Sequence, residues 1–411
     1  MISHCFDRKY KVRKVFASIT AILICCYVIV SNWRWKLREE TEYPIEEWMY
    51  HPLIACDGNL RAFGHEFVRM GNVKVQGINS AKDKSHKFTK FRFAIPCKDK
   101  IPYYRFRYME EGPLQEWMSE LSTFPTDQVY SVSRTRPTFV IQRIEAHNLY
   151  HTLCEWFNVF MVSKFLVLDP SSVDILLLDD RPLSLLDNTW DQLYGSIYKI
   201  RDISQDDVFK TLVWNIIGYN SPLNFHNLRR VPLINEFHNF FLKAYSIEEK
   251  RSFDCGKLDV TIIWRRDYLT HPERQEETQG LVHRKFKNED EILSVVKSVF
   301  SNAHIKTLIL ENLTMKEQLE VMSKTDVLIG MHGAGMAHIM FLPKHAVVLE
   351  FFPTYWGFLR NFKAIADWRN IKYFGWKNKD EANEYKGFYT RIPKQIVLEY
   401  ATKAKSHLCH E

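Results

Sequence analysis

From Leu258 onward the chain alternates regularly between short apolar runs and longer amphipathic stretches. Val260–Trp264 is an apolar, β-branched run between charged residues, the pattern of a buried strand. Glu289–Phe300 carries apolar residues at helical spacing, Ile305–Leu310 is strand-like, and Met315–Ser323 is helical again. A strand ending at Gly330, a helix after Gly335, a strand ending at Glu350, a helix around Phe358–Trp368 and a strand at Lys372–Trp376 complete the series. Repeated strand-helix-strand units predict an α/β fold with a parallel, doubly wound sheet. The earlier residues are less regular, with strand-like Thr138–Gln142 and Val173–Leu178 among helical segments. No internal repeat or low-complexity tract interrupts the pattern.

The junction Gly330-Met-His332-Gly333-Ala334-Gly335 breaks a buried strand and restarts as a helix. Glycines let the backbone turn and approach a ligand, while the free amides and dipole of the following helix attract negative charge. Glu350 ends the next apolar run, Ala346–Glu350, at the carboxyl edge where ligands of open α/β sheets gather. A carboxylate there accepts hydrogen bonds from ribose hydroxyls, so His332, the loop and Glu350 read as two ends of one nucleotide site. Arg265 and Arg266 close the first strand of the series at the same edge, where arginine can fork onto phosphate oxygens. Arg284 follows in a polar loop. The competing readings are a tight connection for the glycines, a solvated strand end for Glu350 and a solubilising loop for Arg284.

Val15–Val30 is uncharged and, extended to Trp33, approaches the roughly 20 residues that cross a bilayer. Arg8, Lys9, Lys11, Arg13 and Lys14 precede it, and Trp33 and Trp35 suit an interfacial belt. The expected topology is a cytosolic tail at 1–14, a signal-anchor at 15–33 and a stem at 34–50, with the remaining chain lumenal. A cleaved signal peptide is the alternative, but no small-x-small site follows the run.

Hydrophobic residues at 46% and aromatic residues at 14% are ample for globular cores. The net charge of +7 forms no long basic block beyond the membrane flank, which speaks against a nucleic-acid partner and suits an anionic donor. Of eight cysteines, Cys56, Cys97, Cys154, Cys255 and Cys409 fall on the expected lumenal side, an odd number that leaves at least one outside intramolecular pairing. Cys56 and Cys97, in one segment, are the expected bridge, and Cys154 is expected to pack as a small hydrophobe. No Cys-x-x-Cys occurs.

The elements Arg265-Arg-Asp-Tyr-Leu-Thr-His-Pro272, Arg284-Lys-Phe-Lys-Asn288, Leu313-Thr-Met-Lys-Glu-Gln318, the His332–Gly335 loop and Val348-Leu-Glu350 resemble glycosyltransferase family 61. The resemblance runs from about Ile141 onward and tilts towards the β-1,2-xylosyltransferase branch. It implies a GT-B architecture of two Rossmann-like domains around a cleft, at 51–240 for the acceptor and 241–411 for the nucleotide sugar. It further implies donor binding by Arg265, Arg284, His332, Gly333, Ala334, Gly335 and Glu350. The expected reaction is inverting transfer of xylose from UDP-xylose to the core β-mannose of N-glycans. Transfer from UDP-GlcNAc to EGF domains or O-mannosyl glycans is the alternative, and an inactive membrane-anchored glycan-binding scaffold is the reading from another class. The expected anchor, with the terminal Leu408-Cys-His-Glu411 unlike an ER-retention signal, points to the Golgi membrane, the ER membrane being the other possibility.

Ala146–Asn158 is expected to be a helix with His147, His151 and Glu155 on one face. The family pattern matches His151 and Glu155, and inversion needs a proton acceptor, so Glu155 is the expected base with His151 beside it. A buried His–Glu hydrogen bond and a metal site are the competing roles. Asp179-Asp180 is adjacent rather than spaced as Asp-x-Asp and reads as a turn into a surface loop, so no divalent metal or other cofactor is expected. Asn312-Leu-Thr314 is the one N-glycosylation sequon.

Overall fold

A computed structural model of the protein describes residues 42–79, 90–101, 121–179, 181–248, 253–269, 271–357 and 359–409. The expected tail, membrane span and stem residues 34–41 lie outside the described residues, as does Asp180. No described helix is long and apolar enough to cross a membrane. The rest of the expected stem is built into the body. Tyr43 is buried and donates its hydroxyl to the Asn220 carbonyl at 2.9 Å, and Ile45–Tyr50 is helical. Tyr43–His226 and Arg230–Glu411 form one compact unit; the other, Met1–Glu42 with Asn227–Arg229, falls mostly outside the described residues.

The first sheet contains β1 (Leu53–Ala55), β2 (Leu60–Phe63), β3 (Phe67–Asn79), β4 (Lys90–Pro96), β5 (Leu121–Phe124), β6 (Thr138–Ile141), β7 (Asp174–Leu177), β8 (Ile197–Lys199) and β9 (Val208–Trp214). Its order is β1-β2-β3-β9-β6-β7-β8, with β4 beside β3 and β5 beside β4. Within it β9-β6-β7-β8 and the pair β4-β5 run parallel, whereas β1-β2, β2-β3, β3-β4 and β3-β9 pair antiparallel, so the sheet is mixed rather than uniformly Rossmann-like. Both faces of β6 and β7 are buried, as the apolar runs Phe139–Ile141 and Ile175–Leu177 require. Helix Leu149–Phe165 is buried around most of its circumference. It starts later than its sequence suggests because Asn148 caps it, accepting the Tyr150 amide at 3.1 Å.

The second half contributes β10 (Asp259–Trp264), β11 (Lys285–Phe286), β12 (His304–Ile309), β13 (Val327–Met331), β14 (Val347–Phe352), β15 (Lys372–Lys377), β16 (Glu384–Tyr385) and β17 (Tyr389–Thr390). Five of these form a parallel sheet in the order β12-β10-β13-β14-β15, and β11-β17-β16 form a small third sheet. Val260, Ile262, Ile329, Leu349 and Phe351 share one core with helices Glu289–Val299 and Lys394–Cys409. The expected strands and the helices Glu289–Val299, Met315–Met322 and Asn361–Trp368 are present. The segment after the glycine loop differs: Ala334–Phe341 is a 3-10 helix, followed closely by Pro343. The boundary expected at residue 240 falls inside helix Ile234–Ala244.

The strand order places the functional edge. The chain leaves β10 for β12 on one side and then returns to β13 on the other, so connections diverge between β10 and β13. That divergence opens a crevice at the carboxyl ends of the two strands. Arg265 follows β10, and His332–Gly335 follows β13.

Two disulfides close the described cysteines: the expected Cys56–Cys97, and Cys255–Cys409, which spacing did not reveal. Cys154 is a buried thiol, as expected of a small hydrophobe.

Candidate functional site

Arg265 lies at the β10–β13 divergence with its Nε donating to the His283 carbonyl at 3.1 Å. A Cβ on residue 333 would come within 2.0 Å of Arg265 Nη1, so glycine there lets the guanidinium rest on the loop backbone. Gly335 serves a second close approach: a Cβ would lie 2.8 Å from Leu310 Cδ1. Met336 is the first amide to bond back, to the Gly333 carbonyl at 2.8 Å. The amides of Ala334 and Gly335 precede it and lack intrahelical acceptors. Arg265, Ala334 and Gly335 line one cavity together with His147, His271 and Glu311.

Arg284 converges on the same loop from the other side. Its Nε donates to the His332 carbonyl at 2.7 Å, and its guanidinium stacks 4.0 Å over the Trp356 ring. Its backbone sits at φ 63°, unusual for a side-chain-bearing residue, and its amide donates to the Tyr355 hydroxyl at 3.2 Å. Burial and the charge of Arg265 push its pKa down to about 10. Burial lowers Arg265 as well. Among the described residues neither guanidinium has an ion-pair partner within 4.0 Å. Two adjacent, partly desolvated arginines without a counter-ion form a strong attractor for an anion.

The structure brings His332 and Glu350 together as a hydrogen-bonded pair. Glu350 is fully buried, and His332 Nδ1 donates to its Oε1 at 2.6 Å while the Tyr373 hydroxyl donates to Oε2 at 2.5 Å. Gly330 and Gly375 stand beside Glu350 in register. Each oxygen therefore accepts one hydrogen bond from the protein itself. Glu350 instead fixes the ring of His332, which stacks on Phe352 at 4.7 Å. The carboxylate that faces the cavity is Glu311, whose Oε1 is buried without a hydrogen-bond partner.

Glu155 and His151 do not line this cavity. Glu155 is buried; its Oε1 accepts the Ile144 amide at 2.9 Å and its Oε2 has no hydrogen-bond partner. Burial pushes its pKa up to about 8. His151 lies 3.4 Å from Glu145 Oε1, and burial lowers its pKa. His147 precedes the Asn148 cap and so leaves the helical face it was expected to share. It lines the cavity.

Asp179 is likewise not a surface turn. It is fully buried and accepts from Arg143 Nη2 at 2.5 Å and Nε at 3.1 Å, while Asp187 accepts from Nη1 at 2.6 Å. Burial works against the charge of Arg143, yet the two aspartates raise its pKa. Asn312 is exposed at the end of the 3-10 turn Leu310–Asn312. Thr314 of its sequon caps the next helix in a reciprocal capping box with Glu317.

Sequence reasoning passed over Glu273, Glu311 and the cavity role of His271. One signal was available: His271-Pro272-Glu273 has the Pro-at-N1 pattern of a helix start, and helix Pro272–Thr278 begins there. Glu311 stands just beyond the carboxyl end of β12, an edge that invites inspection once the strand is known.

A glycine loop flanked by arginines at the divergence of a parallel sheet defines an α/β protein with a crevice suited to an anion. The profile of the glycosyltransferase 61 family matches residues 116–349, and the chain belongs to that family. A β-1,2-xylosyltransferase of Oryza sativa subsp. japonica is 24% identical over 299 residues, 66% of this chain and 54% of that protein. An EGF domain-specific O-linked N-acetylglucosamine transferase of Gallus gallus is 26% identical over 325 residues, 74% of this chain and 57% of that protein. A β-1,2-xylosyltransferase of Arabidopsis thaliana is 23% identical over 312 residues, 65% of this chain and 57% of that protein. The chain spans little more than half the length of these relatives.

Proposed function

We propose that the protein is an inverting glycosyltransferase that takes a UDP-sugar at the β10–β13 edge. The observation that carries this reading is the pair Arg265 and Arg284, neither with an ion-pair partner among the described residues, flanking the amides of Ala334 and Gly335. In this reading the guanidiniums and amides hold the diphosphate and stabilise the charge that develops on it as the glycosidic bond breaks. Glu311 takes a sugar hydroxyl, and His332, oriented by Glu350, shapes the aromatic wall. The two halves of the chain act as GT-B-type acceptor and donor domains.

The donor we favour is UDP-xylose and the acceptor the 2-hydroxyl of the core β-mannose of an N-glycan. The relatives from Oryza sativa and Arabidopsis thaliana support that choice, as does the resemblance of Arg265–Pro272 and Leu313–Gln318 to their branch. One observation favours UDP-GlcNAc with an EGF-domain acceptor: the Gallus gallus transferase matches a larger share of the chain at slightly higher identity. The two disulfides support an oxidising compartment, in keeping with a single-pass Golgi protein whose catalytic part is lumenal.

The test is a donor and acceptor screen on the full chain. Incubation with UDP-xylose and a GlcNAc-terminated N-glycan is expected to add one pentose mass. Transfer of N-acetylglucosamine to a folded EGF domain or an O-mannosyl peptide, with UDP-xylose ignored, would move the assignment to the other branch. No transfer from either donor and no binding of UDP would overturn the activity.

A further inference from the structure

We propose that His147, held by Glu273, is the general base that takes the proton of the acceptor hydroxyl; this rests on the reading of the cavity as the transfer site. His147 and His271 line the cavity that also presents Arg265 and Gly335. Ligand atoms of His147, His271 and Glu273 lie within 4.8 Å of one another. Such a cluster has two chemical readings, a metal site or an acid–base group, and the surrounding contacts separate them.

The contacts disfavour a metal. His271 Nδ1 accepts the Glu273 amide at 3.2 Å, so in the neutral ring the proton sits on Nε2 and no lone pair is left for a cation. Glu273 Oε2 is already 3.3 Å from Arg181 Nη1, which supplies positive charge where an ion would have to bind. A divalent site needs several lone-pair donors around one point, and this cluster offers two at most.

The same contacts suit a base. His147 Nδ1 stands 3.4 Å from Glu273 Oε2, without hydrogen-bond alignment, a separation that acid–base pairs commonly close on substrate binding. With its proton on Nδ1 towards Glu273, the neutral ring presents Nε2 as the acceptor. In the transfer step the hydroxyl oxygen forms its bond to the anomeric carbon as the bond to the diphosphate oxygen breaks. The leaving electron pair passes to the diphosphate beside Arg265, and the hydroxyl proton passes to His147 Nε2. The imidazolium then faces Glu273 and, 3.8 Å away, Glu277. His271, kept neutral by burial, does not oppose it. Arg181 beyond Glu273 and His151 on the adjoining helix also bear on the ring, and Arg265, Arg266, Tyr268 and Glu311 face it across the cavity. Glu273 is a positioning residue.

The experiment compares His147→Gln and Glu273→Gln with the unchanged full chain, measuring UDP binding by calorimetry and kcat and KM for transfer across pH. His147→Gln is expected to lower kcat roughly 100-fold or more while UDP affinity stays within about twofold. Glu273→Gln is expected to shift the acidic limb of the kcat/KM profile to lower pH, because the ring loses the carboxylate that favours its charge. A His147→Gln protein that binds UDP and keeps its kcat overturns the proposal. Should that variant fail to fold, the limb decides: an unmoved limb in Glu273→Gln overturns it and a shifted one supports it. Absence of UDP binding by the unchanged chain overturns the reading of the cavity and this inference with it.

Discussion

Arg265 and Gly333, 68 positions apart in the chain, are in direct contact: a side chain on residue 333 would meet the Arg265 guanidinium at 2.0 Å. The glycine of the loop is therefore first a requirement of the protein's own cation. Gly333→Ala should dislodge the guanidinium, and Arg265→Ala should remove a charge-assisted contact of roughly 1.5–3 kcal/mol. Both variants are expected to weaken UDP binding by at least about tenfold, with circular dichroism unchanged. Equal loss in the two proteins, and no further loss in the double variant, would trace the effect to one contact.

Glu350 satisfies both His332 and Tyr373 in a buried network. Glu350→Ala should leave two buried donors unpaired and destabilise the fold by roughly 2–5 kcal/mol. Urea unfolding measures it. A variant of unchanged stability but lost UDP affinity would return Glu350 to the ligand.

Glu155 predicts a slope of stability with pH. Its carboxyl has a raised pKa, about 8, in the folded protein and its ordinary value of 4.5 when unfolded. Between these values the unfolded chain releases a proton that the folded chain retains, so the contribution is complete below the lower value and is lost as pH rises through the upper one. Glu155→Gln should remove that decline, which amounts to an effect on the order of 4 kcal/mol by pH 8. Chemical denaturation at pH 5 and pH 8 reads the difference. Parallel decline in both proteins would assign the slope elsewhere.

Arg265, Arg284 and the loop amides supply positive charge for a leaving diphosphate, and Arg181 occupies the one His–Glu cluster among the described residues with metal-like spacing. Transfer is expected to survive EDTA. Loss of activity that manganese restores would reopen a metal role for the cluster.

The second sheet was legible because its three central strands, β10, β13 and β14, are nearly continuous apolar runs, buried on both faces and separated by amphipathic helices. The antiparallel part of the first sheet was not. β3 interleaves Arg69, Asn72 and Lys74 with its apolar residues and bulges against β4 between Val75 and Gly77, so no single period runs through it. In the site, sequence located Arg265, His332 and the glycines because they follow strands. It could not show that Glu350 bonds His332 and Tyr373, since that depends on which strands lie side by side. Nor could helical spacing place His147, because Asn148 starts the helix one residue after it. Glu273 lay in a stretch that reads as polar loop, and its meaning appears only where Arg181 and His147 approach it.

The bridge between Cys255 and Cys409 joins residues 154 apart and encloses all five parallel strands. Topologically, the parallel sheet is part of a covalent ring entered just before β10. A single proteolytic cut within that ring leaves both pieces attached, so cleavage is invisible on a non-reducing gel. Force applied at Cys409 passes directly to Cys255 and bypasses the ring, shielding the arginines and the glycine loop from tension along the chain.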